Sequence, residues 1–504
     1  MGALARYHAN RRRLSRGCGV TAQRATTQMD ADVLIIGSGA GGATTASVLA
    51  EAGLDVLIVE EGDWVEQGAV APFSLDQMDR QYRSGGVTVA LGLPSIAYTE
   101  GRCAGGGTEV NSGLYWRPPG DVLQRWREQF KIADFDPDEL LAVAAEVERD
   151  ISVGMVPGAY TEPSEVLRRG ADALGWRNGE IPRWMTYPAG TEQTAGQRQS
   201  MTRTYLPRAM TAGARMAVGC RVDHLVRGVG RAASSAVTTL SDGQRGTITF
   251  RHVFVCGGAI QSPALLQRSG VRGHIGRTLA VHPTVKLAAR FADALNVPDD
   301  VPVHQVKEFA PHLSFGGSAS NPGLVALSLL DQWSTFQRAV TEWQNISVYY
   351  AAIKSEGLGR VRSFPHMKDP VVTYRLTHRD RELLRSGLAR LALLMLEAGA
   401  VEVYPSFKGA PSVRNRRDLA TLQQKFSASK ASVMTVHLCS TVPMGEVDGR
   451  TGANSFGRVH GCSNIFVNDA SLLPTAPGVN PQASVMAIAI RNARHFVATG
   501  GRRD

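Results

Sequence analysis

The chain lacks long apolar runs and paired cysteines, and each absence excludes a class of protein. No segment reaches the roughly 18 consecutive apolar residues that a transmembrane helix requires, so no membrane-spanning segment is expected. The six cysteines are scattered without a C-x-x-C pair, which argues against a metal cage and against a dense disulfide framework. We therefore predict no metal site and expect a reducing, cytoplasmic environment.

The chain also lacks the marks of a nucleic-acid-binding protein, although it is basic. Lysine and arginine number 55 against 45 aspartates and glutamates, which gives a net charge of +10. Many of the arginines lie in the terminal stretches "RRRLSR" and "RNARHFVATGGRRD". Zinc-finger spacings, an RNA-binding aromatic signature and lysine-rich arrays are all missing. We therefore expect no nucleic-acid partner.

The amino-terminal stretch differs from the sequence that follows it. Met29 stands directly before "DADVLIIG", where folded sequence begins. The preceding residues include arginines but no apolar segment after them, so they do not form a secretion signal. Residues 1–29 are predicted to be a disordered arm, or else an overextended start, and are left out of the fold.

A glycine turn follows the first predicted strand. The stretch "DADVLIIGSGAGGATTASVLAEAGLDVLIVEEGDW" predicts a strand at 33–36, a helix at 41–52 and a second strand at 56–59. The turn has the spacing G-x-G-x-x-G and an acid ends the second strand, a pattern that suits a pyrophosphate and a ribose diol. The predicted cofactor contacts are Gly37, Ser38, Gly39, Ala40, Gly42 and Glu60. This motif alone does not separate FAD from NAD.

Later motifs give the sequence a family resemblance. "EGRCAGGGTEVNSGLYWRPP" at 100–119 matches the pattern G-x-x-x-G-G-[GS]-[ST]-x-x-N of the glucose-methanol-choline (GMC) oxidoreductases. "VFVCGGAIQSPALLQRSG" at 253–270 resembles the second signature of that family. "VHLCSTVPMG" and "GRVHGCSNIFVNDASLLPTAPGVNPQASVMAIA" resemble its closing segment. These motifs stand in family order along nearly the whole chain, so the sequence resembles a GMC oxidoreductase.

The resemblance implies that the cofactor is FAD and adds further contacts to it. These implied contacts are Gly106, Gly107, Thr108, Asn111, Val222, Asp469, Ala470 and Pro481. Some relatives tether the flavin through a histidine just before the conserved asparagine, where this chain has Val110. FAD is therefore expected to be bound noncovalently. The competing interpretation of Asp469 is a turn-forming residue without a cofactor contact.

The resemblance also implies a catalytic pair. His437 and Asn480 occupy the two flavin-facing positions of the family, and the asparagine is similar to the branch that includes cholesterol oxidases. Oxidation of an alcohol requires loss of the hydroxyl proton and of a hydride from the same carbon. His437 is expected to be the base or the hydrogen-bond pivot, and Asn480 to fix the substrate oxygen. Alternatively, Asn480 caps a final helix that begins at Pro481.

The remaining candidate side chains are predicted to be structural. His282 precedes a proline at a strand entrance, and His460 lies in a "GRVHG" turn. Cys103 lies near the expected flavin edge, but buried packing is the commoner role of a free cysteine. His437 itself could be a core residue at the end of a strand.

A chain of 504 residues is long enough for two domains, and the motifs predict the α/β class. A discontinuous, Rossmann-like FAD-binding domain is expected at 30–120, 200–288 and 437–504. A substrate domain with a mostly antiparallel sheet and flanking helices is expected at 121–199 and 289–436. "PTVKLAARF", "ISVYYAAI" and "PVVTYRL" predict strands, "RDRELLRSGLARLALLMLEAGA" a long helix, and "SFGGSASNPG" a loop over the cleft or a surface turn.

Together these features predict an FAD-dependent oxidoreductase that removes a hydride from the CH–OH group of an alcohol to give an aldehyde or ketone. The substrate is expected to be lipid-like, sterol-like or a secondary metabolite. The electron acceptor is O2, a quinone or a redox protein. Two alternatives use the same scaffold: a non-redox lyase similar to hydroxynitrile lyases that contains FAD, and a light-driven decarboxylase.

Overall fold

The computed structural model describes residues 22–188, 191, 193–228, 232–297 and 300–500. Residues 1–21 of the predicted arm lie outside the described residues. The rest of that stretch joins the fold, because Gln23–Arg24 pairs in parallel with Arg215–Val218 and the next strand begins at Gln28. The described strands therefore begin before residue 30, where folded sequence was expected to start. Exposed, polar residues enter the sheet here through backbone hydrogen bonds, which leave no apolar pattern in the sequence.

In the described part of the chain, the first sheet consists of eight strands around a parallel centre. The strand at 28–36 lies between the strands at 56–59 and 245–255 and runs parallel to both. The strand bounds are Gln23–Arg24, Gln28–Ile36, Val56–Val59, Arg215–Val218, Cys220–Arg227, Ala233–Leu240, Arg245–Val255 and Ile465–Val467. Val56–Val59 is buried throughout, as expected for a central parallel strand.

Nine strands of the described residues form the second sheet, which is antiparallel except where Ile96–Tyr98 meets Val433–Thr435. Its strands are Thr88–Ala90, Ile96–Tyr98, Asn178–Glu180, Thr284–Arg290, His304–Val306, Leu313–Gly317, Ile346–Ile353, Glu402–Pro405 and Val433–Thr435. Shorter strands pair outside these sheets, at Ala280–Val281 with Leu438–Cys439, Leu358–Arg362 with Val371–Arg375, and among Val153–Gly154, Arg183–Thr186 and Gln197–Arg198. The predicted α/β class and mostly antiparallel second sheet are confirmed.

Helices cover both sheets. The α-helices are Ala40–Glu51, Leu75–Gln81, Gly107–Val110, Gly120–Phe130, Pro137–Asp150, Glu162–Ala173, Tyr205–Thr211, Gly258–Arg268, Pro322–Ser328, Trp333–Phe336, His378–Glu397, Asp418–Lys425 and Gln482–Thr499. The long predicted helix begins at a capping box, in which Thr377 and Asp380 satisfy each other's backbone amides. It packs on the second sheet, whereas the final helix packs against Ala40–Glu51 on the first.

Several predicted boundaries differ from the structure. The strands at 88–90 and 96–98 lie inside the predicted FAD-binding segment 30–120, yet they pair within the second sheet. The helix at 137–150 was expected in the substrate domain but packs against the final helix. The stretch expected to be a loop begins as the buried strand Leu313–Gly317. Long-range backbone pairing decides these positions, and it leaves no local signal.

No helix within the described ranges is both long and apolar enough to cross a bilayer. Across the same residues, no group of three or more histidine, cysteine, aspartate or glutamate side chains is arranged to hold a metal ion.

Candidate active site

A cavity of about 1340 Å³ is lined by residues of both sheets. Most of the residues predicted to bind the cofactor or act in catalysis line it, although they come from distant parts of the chain. They are Gly37, Gly39, Ala40, Glu60, Gly106, Gly107, Thr108, Asn111, Val222, His437, Asp469, Ala470, Asn480 and Pro481. Ser38 and Gly42 are buried and do not line the cavity. The fold therefore gathers the sequence motifs around one space.

The glycines of the first turn serve two purposes. Gly37 has a φ of +101°, a conformation that other residues rarely adopt. A Cβ on Gly42 would lie 1.9 Å from the carbonyl oxygen of Gly37, so the helix packs directly on the turn. At Gly39 the φ is −66°, and a Cβ would come no closer than 4.0 Å to atoms beyond its chain neighbours. Gly37 and Gly42 are required by the fold, whereas Gly39 leaves open space.

The start of the helix Ala40–Glu51 can receive an anion. The amide of Ala43 donates to the carbonyl oxygen of Gly39, and the amides before it have no acceptor within the helix. These amides and the positive end of the helix dipole lie at the cavity wall. The open face of Gly39 lets a phosphate approach them, so this turn fits the pyrophosphate of the predicted cofactor.

Ser38 joins the two glycine motifs to the acid. Its hydroxyl donates to Glu60 Oε2 at 2.7 Å and accepts from the amide of Gly105 at 3.1 Å. Glu60 also accepts from the amides of Ser38 and Gly62, at 3.1 and 3.0 Å. Burial raises the pKa of Glu60, and these hydrogen bonds oppose that shift. A carboxylate has about four lone-pair sites, so one remains for a ribose hydroxyl.

The second glycine run lies against the first. A Cβ on Gly106 would lie 3.1 Å from the Cα of Gly39. The Thr108 hydroxyl donates to the carbonyl oxygen of Gly105 at 2.7 Å and accepts from the amide of Met201 at 3.1 Å. The Thr108 side chain therefore braces the loop, and its backbone amide also donates to the carbonyl oxygen of Gly105, at 3.2 Å.

Asn111 connects this loop to the final helix. Its Nδ2 donates to Gln482 Oε1 at 2.9 Å, and its Oδ1 accepts from the amide of Gly113 at 2.9 Å. Gln482 is the first residue of the helix Gln482–Thr499. The second motif and the start of the last helix are thus held together at the cavity.

Asp469 braces the carboxyl-terminal segment against an earlier turn. Its Oδ2 accepts from the amide of Gly258 at 2.7 Å and from the Ser262 hydroxyl at 2.5 Å. Its Oδ1 accepts from the amide and hydroxyl of Ser471, at 2.7 and 2.5 Å. Burial raises the pKa of this carboxyl group. Because all four lone-pair sites are used, a cofactor contact at Asp469 or Ala470 is restricted to the backbone.

His437, Asn480 and His282 form a polar chain at the other end of the cavity. Asn480 Nδ2 lies 3.3 Å from His437 Nε2, and His437 Nδ1 lies 2.9 Å from His282 Nδ1. The antiparallel pairing of Val281 with Leu438 sets the two histidines opposite each other. Sequence reasoning missed His282, because the short strands that bring it to His437 have no recognisable pattern.

The amide of Gly478 fixes the tautomers along this chain. It donates to His282 Nε2 at 3.0 Å, so that nitrogen carries a lone pair. A neutral His282 then holds its proton on Nδ1 and donates it to His437 Nδ1. A neutral His437 must therefore carry its proton on Nε2. Its partner on Asn480 is then the amide oxygen, since the two ends of an asparagine amide are interchangeable in position.

Both histidines are held neutral. Burial, with a smaller contribution from the charge of Lys307, lowers the pKa of His437 to about 4. Burial and the neighbouring His437 lower the pKa of His282 well below its usual value. At neutral pH the pair is uncharged, and His437 presents an N–H toward Asn480.

The other predicted roles are those of Asn480, His460 and Cys103. Asn480 makes no capping bond, because the final helix has Pro481 at its N-cap position and begins at Gln482. The expected helix start at Pro481 is thus one residue early. His460 is exposed and contacts Thr451, away from the cavity lining. Cys103 is buried, and burial raises the pKa of its thiol well above the usual value.

Comparison with known proteins agrees with this geometry. Family models described as GMC oxidoreductase match residues 78–284 and 357–489, and a model described as FAD binding domain matches residues 30–73. A GMC-type oxidoreductase of Sinorhizobium fredii is 39% identical over 94% of this chain and 96% of its own length. A long-chain-alcohol oxidase of Arabidopsis thaliana is 25% identical over 95% of this chain and 70% of its own length.

The fold is shared with a solved structure as well. Pyridoxine 4-oxidase from Mesorbium loti superposes with a TM-score of 0.69 at 19% identity, covering 92% of this chain and 99% of the other. The two family models and the 39% identical relative establish membership. This chain belongs to the GMC oxidoreductase family and is an FAD-dependent oxidoreductase acting on CH–OH donors.

Proposed function

We propose that His437 and Asn480 hold the oxygen of an alcohol whose carbon gives up a hydride, so that an aldehyde or ketone is released. The observation that supports this is the 3.3 Å contact between Asn480 Nδ2 and His437 Nε2 in the cavity that both glycine motifs line. When bound, FAD would supply the acceptor for the hydride of the carbinol carbon. The hydroxyl proton leaves to water in the cavity, which balances the reaction.

The chain offers a contact for each part of the cofactor. The amides at the start of the helix Ala40–Glu51 bind the pyrophosphate across Gly39, and Glu60 accepts from the ribose. Val222 lies at the cavity wall and would contact the adenine. Backbone groups of Gly106, Gly107 and Asp469 serve the flavin end. Val110 offers no nucleophile for a covalent bond, so attachment is noncovalent.

His437 acts as a hydrogen-bond donor. A general base works best with a pKa near the working pH, whereas the pKa of His437 is lowered to about 4. The contact between Gly478 and His282 also leaves the proton of His437 on Nε2. A neutral imidazole in this state donates to the substrate oxygen and stabilises the negative charge that develops there. The sequence predicted that His437 is either the base or the hydrogen-bond pivot, and these contacts favour the hydrogen-bond pivot.

The final helix supports the same site. Its first amides have no acceptor within the helix, and its N-cap residue Pro481 lines the cavity. The positive end of this helix dipole would stabilise negative charge gained by a ring bound against it. Asn480 is then free to face substrate instead of capping the helix.

His282 positions His437 through the tautomer. In the variant His282→Leu, the Gly478 amide and His437 Nδ1 both lose a partner, so flavin reduction by alcohol should slow by about tenfold. His282→Gln keeps one donor and one acceptor and should recover most of the rate. Stopped-flow measurement of flavin reduction compares the two variants. Equal rates for Leu, Gln and wild type would show that His282 only fills space.

The proposed substrate class and electron acceptor follow from the proteins that this chain resembles. A long-chain-alcohol oxidase among the relatives and a pyridoxine 4-oxidase of the same fold favour a primary alcohol and O2 as acceptor. The free cysteines Cys103, Cys220, Cys256 and Cys439, all buried, support a reducing, cytoplasmic location. Thiol labelling of protein alkylated at lysis tests the location, and a disulfide among these cysteines would contradict it.

Anaerobic mixing with a panel of alcohols tests the proposed reaction. The FAD-loaded protein should lose its visible flavin absorption with at least one alcohol, and should recover it on admission of air. Turnover of a substrate while the flavin stays oxidised would instead support the lyase alternative. If the flavin absorption recovered with a quinone analogue but not with air, the acceptor would be a quinone and not O2.

A further inference from the structure

The face of the second sheet that lines the cavity carries a continuous row of small or apolar residues. Backbone pairing sets these residues opposite one another across neighbouring strands, in the order Val89, Ala97, Met434, Thr284, Ala352 and Ser314. All of them line the cavity. We refer to this row as the cavity floor.

Two lysines extend their side chains from the cavity floor. Lys286 lies two residues after Thr284, and Lys354 lies two residues after Ala352. Alternation along an extended strand turns both side chains toward the cavity, which both residues line. With strands about 5 Å apart and about 3.3 Å per residue, their backbones lie within roughly 10 Å of Ala352. Flexible four-carbon side chains can therefore bring both ammonium groups over the floor.

Lys307 stands at the end of the floor. It lies two residues after Gln305, and Gln305 pairs with Gly316, which is two residues after Ser314. Continuing this antiparallel register brings Lys307 beside Ser314, and Lys307 also lines the cavity. Its Nζ lies 4.7 Å from the centroid of the Trp116 ring, so an aromatic face supports the cation from one side.

These ammonium groups have no protein anion as partner. Over the described residues, the backbones of Lys286, Lys307 and Lys354 are hydrogen-bonded, but none of their ammonium groups forms a hydrogen bond or an ion pair. Burial alone lowers the pKa of Lys286 and of Lys307 to about 8. Burial also lowers the pKa of Lys354, although Asp121 opposes that shift. Lys286 and Lys307 have thus lost hydration without gaining a carboxylate. Among the side chains that the structure describes, the only opposing charge at Lys354 is that of Asp121, which forms its ion pair with Arg125.

The carboxylates of the cavity are engaged elsewhere or stand on other elements. They are Glu60, Glu61, Glu100, Asp331 and Asp469. Glu60 and Asp469 accept hydrogen bonds from the cofactor-binding loops. Glu61 and Glu100 both face Arg83, at 2.8 and 3.7 Å. Among the described residues, no carboxylate that lines the cavity forms an ion pair with these lysines, so the floor is a cationic region.

An ammonium group that has lost part of its hydration is costly unless an anion compensates it, and three half-buried ammonium groups around one space also repel one another. Starting from the alcohol oxidation proposed above, we propose that the substrate alcohol also carries a carboxylate or phosphate group, which Lys286, Lys307 and Lys354 bind over the cavity floor. The pyrophosphate of FAD has its own site at the glycine turn of the first sheet, so these lysines remain available to substrate.

The anionic group binds near the reacting carbon. The charge of Lys307 acts on His437, and the charges of Lys354 and Lys307 act on His282. Gly478, which donates to His282, also approaches Lys354, since a Cβ on Gly478 would lie 3.8 Å from its Nζ. The substrate is thus a short hydroxy acid or hydroxy phosphate, or a longer chain that folds back toward the lysines.

Titration of the FAD-loaded protein measures the site without turnover. Straight-chain carboxylates from acetate to decanoate, alkyl phosphates and neutral alcohols of equal length are compared by calorimetry. We expect the best carboxylate or phosphate to bind about tenfold to a hundredfold more tightly than its matched alcohol. Lys307→Met and Lys354→Met should each abolish most of this preference. Lys425→Met, which removes the same charge from an exposed helix outside the cavity lining, should leave it unchanged.

The comparison of carboxylates with phosphates identifies the anionic group. Equal affinity for anions and alcohols, no binding by any anion, or an unchanged preference in both lysine variants would overturn the proposal.

A turnover measurement compares 6-hydroxyhexanoate with 1,6-hexanediol. Equal reduction of the flavin by the two would remove the anion site but keep alcohol oxidation. Tight anion binding without flavin reduction by any alcohol would keep the site and reject the oxidation.

Discussion

The variant His437→Leu is expected to slow anaerobic flavin reduction by alcohol about 100-fold to 1000-fold, the usual effect of losing one donor to a developing oxyanion. In the wild-type protein, Nε2–H of His437 donates to the substrate oxygen, and leucine removes that donor while keeping similar bulk. The Kd for FAD should be unchanged, because the His437 side chain forms its hydrogen bonds with His282 and Asn480.

The matched variant His437→Gln decides between a donor and a base. Glutamine retains an N–H donor but has no basic nitrogen, so a donor role predicts a rate within about tenfold of wild type. If His437 were the general base, the Gln and Leu variants would be equally slow. Stopped-flow traces at saturating alcohol give both rates, and fluorescence of bound FAD checks that each variant is loaded.

The variant Gly39→Ala is expected to weaken FAD binding by about tenfold to a hundredfold, the equivalent of an overpacked site. The new methyl group meets no protein atom closer than 4.0 Å beyond its chain neighbours, and the φ of −66° suits alanine. The folded apoprotein therefore accommodates the added methyl group without a steric clash. A loss of affinity would come from the pyrophosphate that we place against this position.

Gly120→Ala is the matched control for this measurement. Gly120 is exposed at the start of a helix, lies outside the cavity lining, and has no atom within 4 Å of an added Cβ. FAD affinity, measured by fluorescence titration, should be unchanged in this variant, as should the Tm of both apoproteins. Wild-type affinity in Gly39→Ala would show that the pyrophosphate lies elsewhere.

Local sequence patterns predicted the elements that carry strong periodicity. The strand at 56–59 has the predicted bounds, and "ISVYYAAI" forms the strand Ile346–Ile353 as expected. The glycine turn was also predictable, because the G-x-G-x-x-G spacing is local in the sequence and Gly37 and Gly42 answer local steric requirements. Residues around Gly37, Gly106 and Asn480 line one cavity as the motifs implied, while their contacts with FAD and substrate stay predictions.

Features set by long-range pairing could not be predicted. His282 and His437 meet through strands of two residues each, and neither strand has a pattern that names its partner. The parallel pairing of Ile96–Tyr98 with Val433–Thr435 likewise moved residues 88–98 out of the predicted FAD-binding domain. The side chain of Asp469 proved to be a brace because Ser262 and Ser471 occupy its oxygens.

These pairings also explain why the substrate class was open from the sequence. Lys286 lies on one strand, Lys307 and Lys354 directly follow the ends of two others, and the three form no lysine-rich run. Only the register of the second sheet brings them to one floor. We accordingly propose a domain division that follows the two sheets, with residues 88–98 on the substrate side and the helix at 137–150 on the cofactor side.

The most direct test of the account is a single-turnover reduction of the FAD-loaded protein by an alcohol deuterated at its carbinol carbon. Cleavage of that C–H bond by hydride transfer predicts that the flavin bleaches, and that it bleaches more slowly with the deuterated alcohol, in both wild type and His437→Gln. A flavin that stays oxidised while substrate is consumed would contradict hydride removal from the CH–OH carbon.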